Sequence, residues 1–216
     1  FRWTSGGGMT GLGDLAGGIF FSSAVDVSSD GSVVVGYGRL ATQNQAFRWT
    51  SGGGMVGLEG FLNSGASAVS ADGSVIVGTG TSALGIEAFR WTAEGGMVGL
   101  GQLPNGFSYS TATDVSADGS LVVGAAGPSA GGPAFIWDGT HGMRSLQTVL
   151  VTDYHLNLTG WNLGEATAIS SDGTTIVGNG IHAGHSEGWI AVIPEPSTRL
   201  LFGAGLVVLA VRRRDA

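Results

Sequence analysis

Short apolar runs alternate with glycine, serine and aspartate along this chain, and the alternation repeats. The phrase VSSDGSVVVG at residues 27–36 returns as VSADGSVIVG at 69–78, VSADGSLVVG at 115–124 and ISSDGTTIVG at 169–178. A second phrase, FRWT, occupies 1–4, 47–50 and 89–92, becomes FIWD at 135–138 and decays to GWIA at 188–191. A third, GGGMTGLG at 6–13, is echoed by GGGMVGLE at 52–59, GGMVGLG at 95–101 and HGMRSL at 141–146. The corresponding tryptophans, Trp3, Trp49, Trp91, Trp137 and Trp189, are spaced by 46, 42, 46 and 52 residues. The runs are rich in Val, Ile, Phe and Trp and are bounded by Gly, Ser and Asp-Gly, which predicts short strands and tight turns. No amphipathic helix of about ten or more residues can be drawn through residues 1–140 without crossing glycines.

Asp-Gly between two apolar runs predicts a hairpin, with glycine supplying the positive φ of a type I′ turn. Each repeat then reads as four strands, which in the second complete repeat fall at 66–70, 74–79, 88–92 and 97–100. The triplet Val75-Ile76-Val77 is apolar on both faces, as expected of a strand covered on both sides. Four strands in a unit of this length predict an all-β, β-propeller-like array. The alternative is a β-solenoid, whose rungs usually repeat at about half this length. The strand order also resembles WD40-type blades, without their Gly-His and Trp-Asp signatures.

The repeat resembles the HAF family of extracellular repeats, marked by an Ala-Phe pair leading into a Trp strand. Here the pairs are Ala46-Phe47, Ala88-Phe89 and Ala134-Phe135, with Gln45, Glu87 and Pro133 where the family has His. The resemblance covers nearly all of residues 1–193 and implies an exported protein. The last repeat is interrupted between Met143 and Ala166. Leu146, Val149 and Leu150 stand there at helical spacing and predict one short helix, expected to cap the open end of the array. Trp161 and Leu163 are expected to lead into the next inner strand.

After residue 193 the character of the chain changes. Pro194-Glu195-Pro196-Ser197 is followed by an apolar run from Leu200 to Val211 and by Arg212-Arg213-Arg214. The apolar run can enter a bilayer, and the arginines hold its end on the cytoplasmic side. As a permanent anchor the twelve-residue run, with Gly203 and Gly205 inside it, falls short of the roughly 20 residues of a full span. The order of the three parts resembles the PEP-CTERM sorting signal of Gram-negative bacteria. That resemblance implies recognition and cleavage by an exosortase, with Pro194, Glu195, Pro196, Arg212, Arg213 and Arg214 as signal residues and a transmembrane segment at about 199–211. It places residues 1–193 outside the inner membrane, at the cell surface or beyond. A short C-terminal hydrophobic helix is expected within 194–216.

Composition sharpens this reading. Hydrophobic residues make up 43% of the 216, too many for a disordered chain. There is no cysteine, which removes thiol catalysis and thiolate metal sites and leaves an exported domain to be held by its core. Lysine is absent, and residues 1–193 carry five arginines against fourteen acidic residues. Such a surface repels nucleic acid and anionic membranes. The sequence opens at Phe1, in mid-repeat, from which an N-terminally truncated fragment lacking a signal peptide is expected.

Candidate chemistry is sparse. Asp30, Asp72, Asp118 and Asp172 recur once per repeat, but a calcium site needs six to eight oxygens in one place; the expectation is that each caps its own turn. Asp26 and Asp114 alternate with Ala68 and Ala168 and would serve a glycosidase only if they faced a common channel about 5–10 Å apart. His182 and His185 form an H-x-x-H pair without a third ligand, and His141 and His155 stand alone; all four read as solvated. The regular tryptophans point to packing between repeats. Phe20, Phe21, Phe61, Phe107 and Tyr109 are the better candidates for contact surfaces. No catalytic residue, metal site or cofactor is expected. The expected function is that of a non-catalytic surface or matrix protein, sorted by an exosortase and interacting with extracellular polysaccharide or surface proteins in biofilm. The competing reading is a propeller-based carbohydrate-active enzyme, a glycosidase or lyase.

Overall fold

The structure is a computed structural model and describes residues 1–104, 108–128 and 132–193. Pro194, Glu195, Pro196, Arg212, Arg213, Arg214 and the apolar segment 199–211 lie outside the described residues, as does Phe107. Among the described residues no helix is long and apolar enough to cross a membrane.

The chain folds as antiparallel sheet units in sequence order. A two-stranded pair, β1 (Arg2–Thr4) and β2 (Gly8–Thr10), comes first. The first unit is β3 (Gly18–Val27), β4 (Val33–Leu40), β5 (Asn44–Thr50) and β6 (Gly54–Gly57), paired in that order. The second is β7 (Leu62–Val69), β8 (Val75–Ser82), β9 (Gly85–Thr92) and β10 (Gly96–Gly99). The third is β11 (Tyr109–Val115), β12 (Leu121–Gly127), β13 (Ala134–Asp138) and β14 (Gly142–Ser145). One parallel bridge, Tyr109 to Ile86, joins the second and third units into an eight-stranded sheet. A helix, α1 (Leu146–Thr152), precedes the three-stranded fourth unit of β15 (Trp161–Ile169), β16 (Thr175–His182) and β17 (His185–Val192). The strands predicted for the second repeat each find a counterpart, and those meeting at hairpins are longer than the apolar runs alone.

The second strand of the second unit is apolar on both faces because that unit is packed on both. On β8, Val75 and Val77 turn to the third unit and join Ala112, Val115, Val122 and Phe135. Ile76 turns to the first unit with Phe89, where it meets Val33, Val35, Ala46 and Ala66. Phenylalanine is the deepest residue of the FRWT phrase: Phe47, Phe89 and Phe135 are fully buried. The regular tryptophans lie further out, and Trp3 is exposed. Phe61, expected at a contact surface, instead meets Phe89 edge-on with ring centroids 6.3 Å apart.

The final repeat departs by two residues from an alignment on its tryptophan. Gly178 pairs with Trp189 as Gly124 pairs with Phe135, so Trp189 occupies the phenylalanine position and Ala191 the tryptophan position. The spacing of the tryptophans predicts the other alignment; the pairing register follows the buried aromatic instead. The Trp189 indole N–H is buried with no hydrogen-bond partner among the described residues.

The predicted short helix is present, capped by Ser145, whose hydroxyl accepts the Thr148 N–H. It does not cover an open end. Leu146, Val149 and Leu150 are buried among Leu158, Leu163, Ile176 and Trp189, so the helix is wedged between the third and fourth units. Its apolar stripe requires two walls, and only an interior position supplies them.

Candidate functional site

The Asp-Gly turns form the most regular polar feature. In the first, the Ser28 N–H donates to the Val33 carbonyl at 2.9 Å, the Val33 N–H donates back to the Ser28 hydroxyl at 3.0 Å, and the Gly31 N–H donates to the Ser28 carbonyl at 2.8 Å. This is a four-residue loop rather than the expected two-residue type I′ turn. That turn demands positive φ at both central residues, whereas here Gly31 has φ 70° and Asp30 is not in the left-handed region. The carboxylate explains the preference: Asp30 Oδ1 accepts the Ser28 hydroxyl at 2.7 Å and the Ser32 N–H at 2.9 Å. The same bonds recur at Asp72, Asp118 and Asp172. Each aspartate caps its own turn.

These bonds hold the carboxylates in their charged form. Asp30 is lowered from 3.8 to about 2, chiefly by the Ser32 N–H and then by the Ser28 hydroxyl. Asp72 is also lowered to about 2, chiefly by the Ser70 hydroxyl. Asp118 and Asp172 shift the same way, led by Ser116 and Ser170.

Adjacent turns are joined to one another. The Ser29 N–H donates to the Ala71 carbonyl, Ala71 to Ala117, and Ala117 to Ser171, each at 3.0 Å. Side chains strengthen the same joints. Asp26 on β3 accepts the Val27 N–H with one oxygen and the Val69 N–H of the next unit with the other, each at 2.8 Å. Asp114 on β11 does likewise with Val115 and, in the fourth unit, Ile169. Burial, the leading influence, raises the Asp114 pKa above its ordinary value; the two amides pull against it, and the Asp26 charge adds to the rise. The alternation of Asp with Ala therefore marks staples from the first unit to the second and from the third to the fourth. Both oxygens of each carboxylate are engaged by backbone amides. Pairwise stapling was the signal in that alternation, and sequence reasoning missed it.

The remaining candidates resolve locally. Glu87, just before the Ala88-Phe89 pair, is buried; it accepts the Gly101 N–H and a short hydrogen bond from the Ser82 hydroxyl. His182 and His185 face each other across the β16–β17 hairpin. His182 is not simply solvated: its ring stacks on Trp161 at 4.3 Å and 8°, and its Nδ1 lies 3.6 Å from Glu187. His141 contacts Asp138 at 2.9 Å, and Arg144 bridges Asp138 and Asp153. Among the described residues no group of three or more His, Asp or Glu could hold a metal ion.

What stands out is an apolar face at the first unit. Val27 on β3 is 51% exposed, whereas its equivalents Val69, Val115 and Ile169 are 8%, 6% and 8% exposed. Ala24 is exposed where Ala66, Ala112 and Ala166 are buried. Ile19, Phe20, Phe21 and Val25 extend the exposed apolar surface of the same strand. Phe20 and Phe21 thus lie where a contact surface was expected, while Tyr109 is half-buried in β11.

Comparison with known proteins adds an address and a fold. Residues 192–214 match the PEP-CTERM protein-sorting motif. That match supports export and C-terminal, membrane-anchored sorting of a surface protein by an exosortase. No curated protein sequence matches the chain. Two solved structures share its all-β fold. TolB from Acinetobacter baumannii is 15% identical with a TM-score of 0.53, over 80% of this chain and 42% of that one. A candidate TolB from Agrobacterium tumefaciens is 16% identical with a TM-score of 0.54, over 80% of this chain and 58% of its own. The chain thus spans less than two thirds of either structure.

Proposed function

We propose that this chain is a non-catalytic surface or matrix protein, a propeller-like array of HAF-type repeats that an exosortase delivers to the cell exterior, where it scaffolds extracellular polysaccharide. The observation that carries the reading is the junction at Val192. The last strand, β17, ends at that residue, and the sorting motif begins there. The address is attached directly to the rigid array, so processing releases or anchors the array as one body. Four similar units packed in series, each apolar on both faces, support the propeller-like form over a solenoid. The acidic, lysine-free composition of residues 1–193 supports a role away from nucleic acid and anionic lipid. The carboxylates that could have served a glycosidase are committed to backbone amides.

The test is to express the full chain in an exosortase-bearing, polysaccharide-producing Gram-negative host. Two readouts are needed: the share of chain that co-sediments with extracellular polysaccharide, and the length distribution of that polysaccharide after incubation with the chain. Co-sedimentation with unchanged length is expected. Shortened or unsaturated products would contradict the proposal and favour the glycosidase or lyase reading.

A further inference from the structure

Arginine is scarce in this array, and it is not scattered. Of the five arginines in residues 1–193, Arg2, Arg48 and Arg90 share one position of the FRWT phrase. Arg144 lies directly across the strand pair from Ile136, which holds that position in the third unit. Paired residues of neighbouring antiparallel strands point to the same side of a sheet, so the register shows what each arginine faces. Val35, Arg48 and Val56 pair in one row, and Val35 is packed on the second unit. Ile76, Trp91 and Met97 form a row of the second unit that packs back on the first. Arg48 and Val56 therefore share the seam between these units with Trp91 and Met97. The next seam repeats the arrangement. Arg90 and Val98, in the row of Val77, share it with Trp137 and Met143, in the row of Val122.

These two seams leave their arginine without a partner, and the third does not. Among the described residues neither Arg48 nor Arg90 makes a hydrogen bond or an ion pair, although acidic residues outnumber basic ones in the chain. Both side chains are half-buried, and the Arg90 Nε is shielded from solvent with no acceptor. That guanidinium is held in the seam, where an unmet donor is costly. In the third seam Arg144 also buries its Nε, but its terminal nitrogens reach Asp138 at 3.1 Å and Asp153 at 3.2 Å. No tryptophan faces it from the fourth unit, where Ala191 occupies the tryptophan position. Where the seam closes on itself, carboxylates fill the place that the first two leave open.

We infer that the first and second seams bind the carboxylates of an acidic polysaccharide, one uronate-type sugar residue to each seam. The guanidinium presents parallel N–H donors that match a carboxylate. The half-buried Trp91 or Trp137 beside it offers an apolar face to the C–H side of a pyranose ring. Val56 and Val98, each 57% exposed, form the rim. Two like sites one unit apart suit a repeating polymer, and an acidic peptide supplies the charge without the ring. This rests on the polysaccharide scaffolding proposed above, to which it adds the class of sugar and the residues that meet it. The net negative charge of the array does not prevent the contact. At physiological salt, exposed charges more than about 8 Å apart are largely screened, so the arginine in the seam decides.

The experiment is isothermal titration calorimetry of the full chain with short oligogalacturonates and oligoglucuronates, in non-ionic detergent that shields the apolar tail. Wild type is expected to bind at least one of them, and to lose that binding when the carboxylates are methyl-esterified. Arg48→Gln and Arg90→Gln are each expected to weaken binding about tenfold, as loss of a hydrogen bond to a charged group does. Arg144→Gln should leave binding unchanged, because that guanidinium is already held by Asp138 and Asp153. Arg48→Met and Arg90→Met keep the apolar stem and serve as a second pair should a glutamine variant lose its β-type circular dichroism. No binding of either oligomer overturns the inference, as does esterified oligomer bound as tightly as the acid. Undiminished binding by the chain carrying both arginine substitutions overturns it too. Polyglutamate bound as tightly as the sugars would assign the seams to acidic peptides, and equally overturns it. A chain that binds neither oligomer but still co-sediments with host polysaccharide counts against the seams alone. Oligomer binding without co-sedimentation counts against the scaffolding role alone.

Discussion

Within the FRWT phrase, burial separates residues that the sequence makes look alike. Phe89 is fully buried between two units, while Trp3 is 64% exposed. Phe89→Ala is therefore expected to cost about 3–5 kcal/mol in urea denaturation, and Trp3→Ala less than about 0.5 kcal/mol. The glycine that ends each VxVG phrase has a different reason to be there. A Cβ on Gly78 would lie 2.1 Å from the Gly65 carbonyl oxygen across the β7–β8 pair, where the register shifts between Ala66 and Ala68. Gly36, Gly124 and Gly178 face their own bulges at 2.0–2.2 Å. Gly78→Ala should lower stability by about 3 kcal/mol, because backbone must move to admit the methyl group; an unchanged urea midpoint would refute the close approach. The turn aspartates make the fold acid-sensitive in a defined direction. Their folded pKa values lie below the unfolded one, so the stability they contribute is complete above about pH 4 and is lost as pH falls towards 2. Asp114 opposes the trend, since its raised value makes protonation favourable in the folded chain. Thermal melting from pH 7 to 2 should therefore show its fall below pH 4, and Asp72→Ala should make the fall shallower.

The strands were legible because their apolar runs are short and punctuated, and the helix because Leu146, Val149 and Leu150 share one face. What the pattern concealed lies between elements. A bulge costs one residue and leaves no mark in the alternation beyond the glycine opposite it. The direction of α1 into the interior, rather than over an end, depends on which walls surround it. Asp26 and Asp114 looked like polar residues on an inner strand, and their partners are amides some forty to sixty residues away (Val69 and Ile169). Thr113 does the same work nearby, its hydroxyl donating to the Ala166 carbonyl of the fourth unit at 2.7 Å. Asp26→Ala leaves the Val69 N–H unpaired at the joint of the first and second units. It should cost about 1–3 kcal/mol in urea denaturation, and hydrogen exchange should quicken at Val69 before it does within β12. Equal exchange at both would mean that the staple contributes nothing.

Across the whole molecule the sequence carried two messages of unequal clarity. The repeat announced an all-β array, and the described units confirm that class, with packing from each unit to the next. The tail announced a destination, and residues 192–214 match a protein-sorting motif. The ligand was not legible, because recognition residues need not follow the period that reveals a fold; the variable stretches around Phe20 and Phe21 carry no repeated chemistry to interpret. Charge and hydrophobicity also act here at molecular range: an acidic array precedes an apolar run and three arginines. Intact mass spectrometry of the chain from matched hosts with and without an exosortase tests the account most directly. Export and processing predict that, with the enzyme present, the surface fraction holds a chain lacking Arg212, Arg213 and Arg214, and that replacing these three by Ser leaves the uncut chain behind. A full-length, soluble chain in the cytosol of both hosts would contradict it.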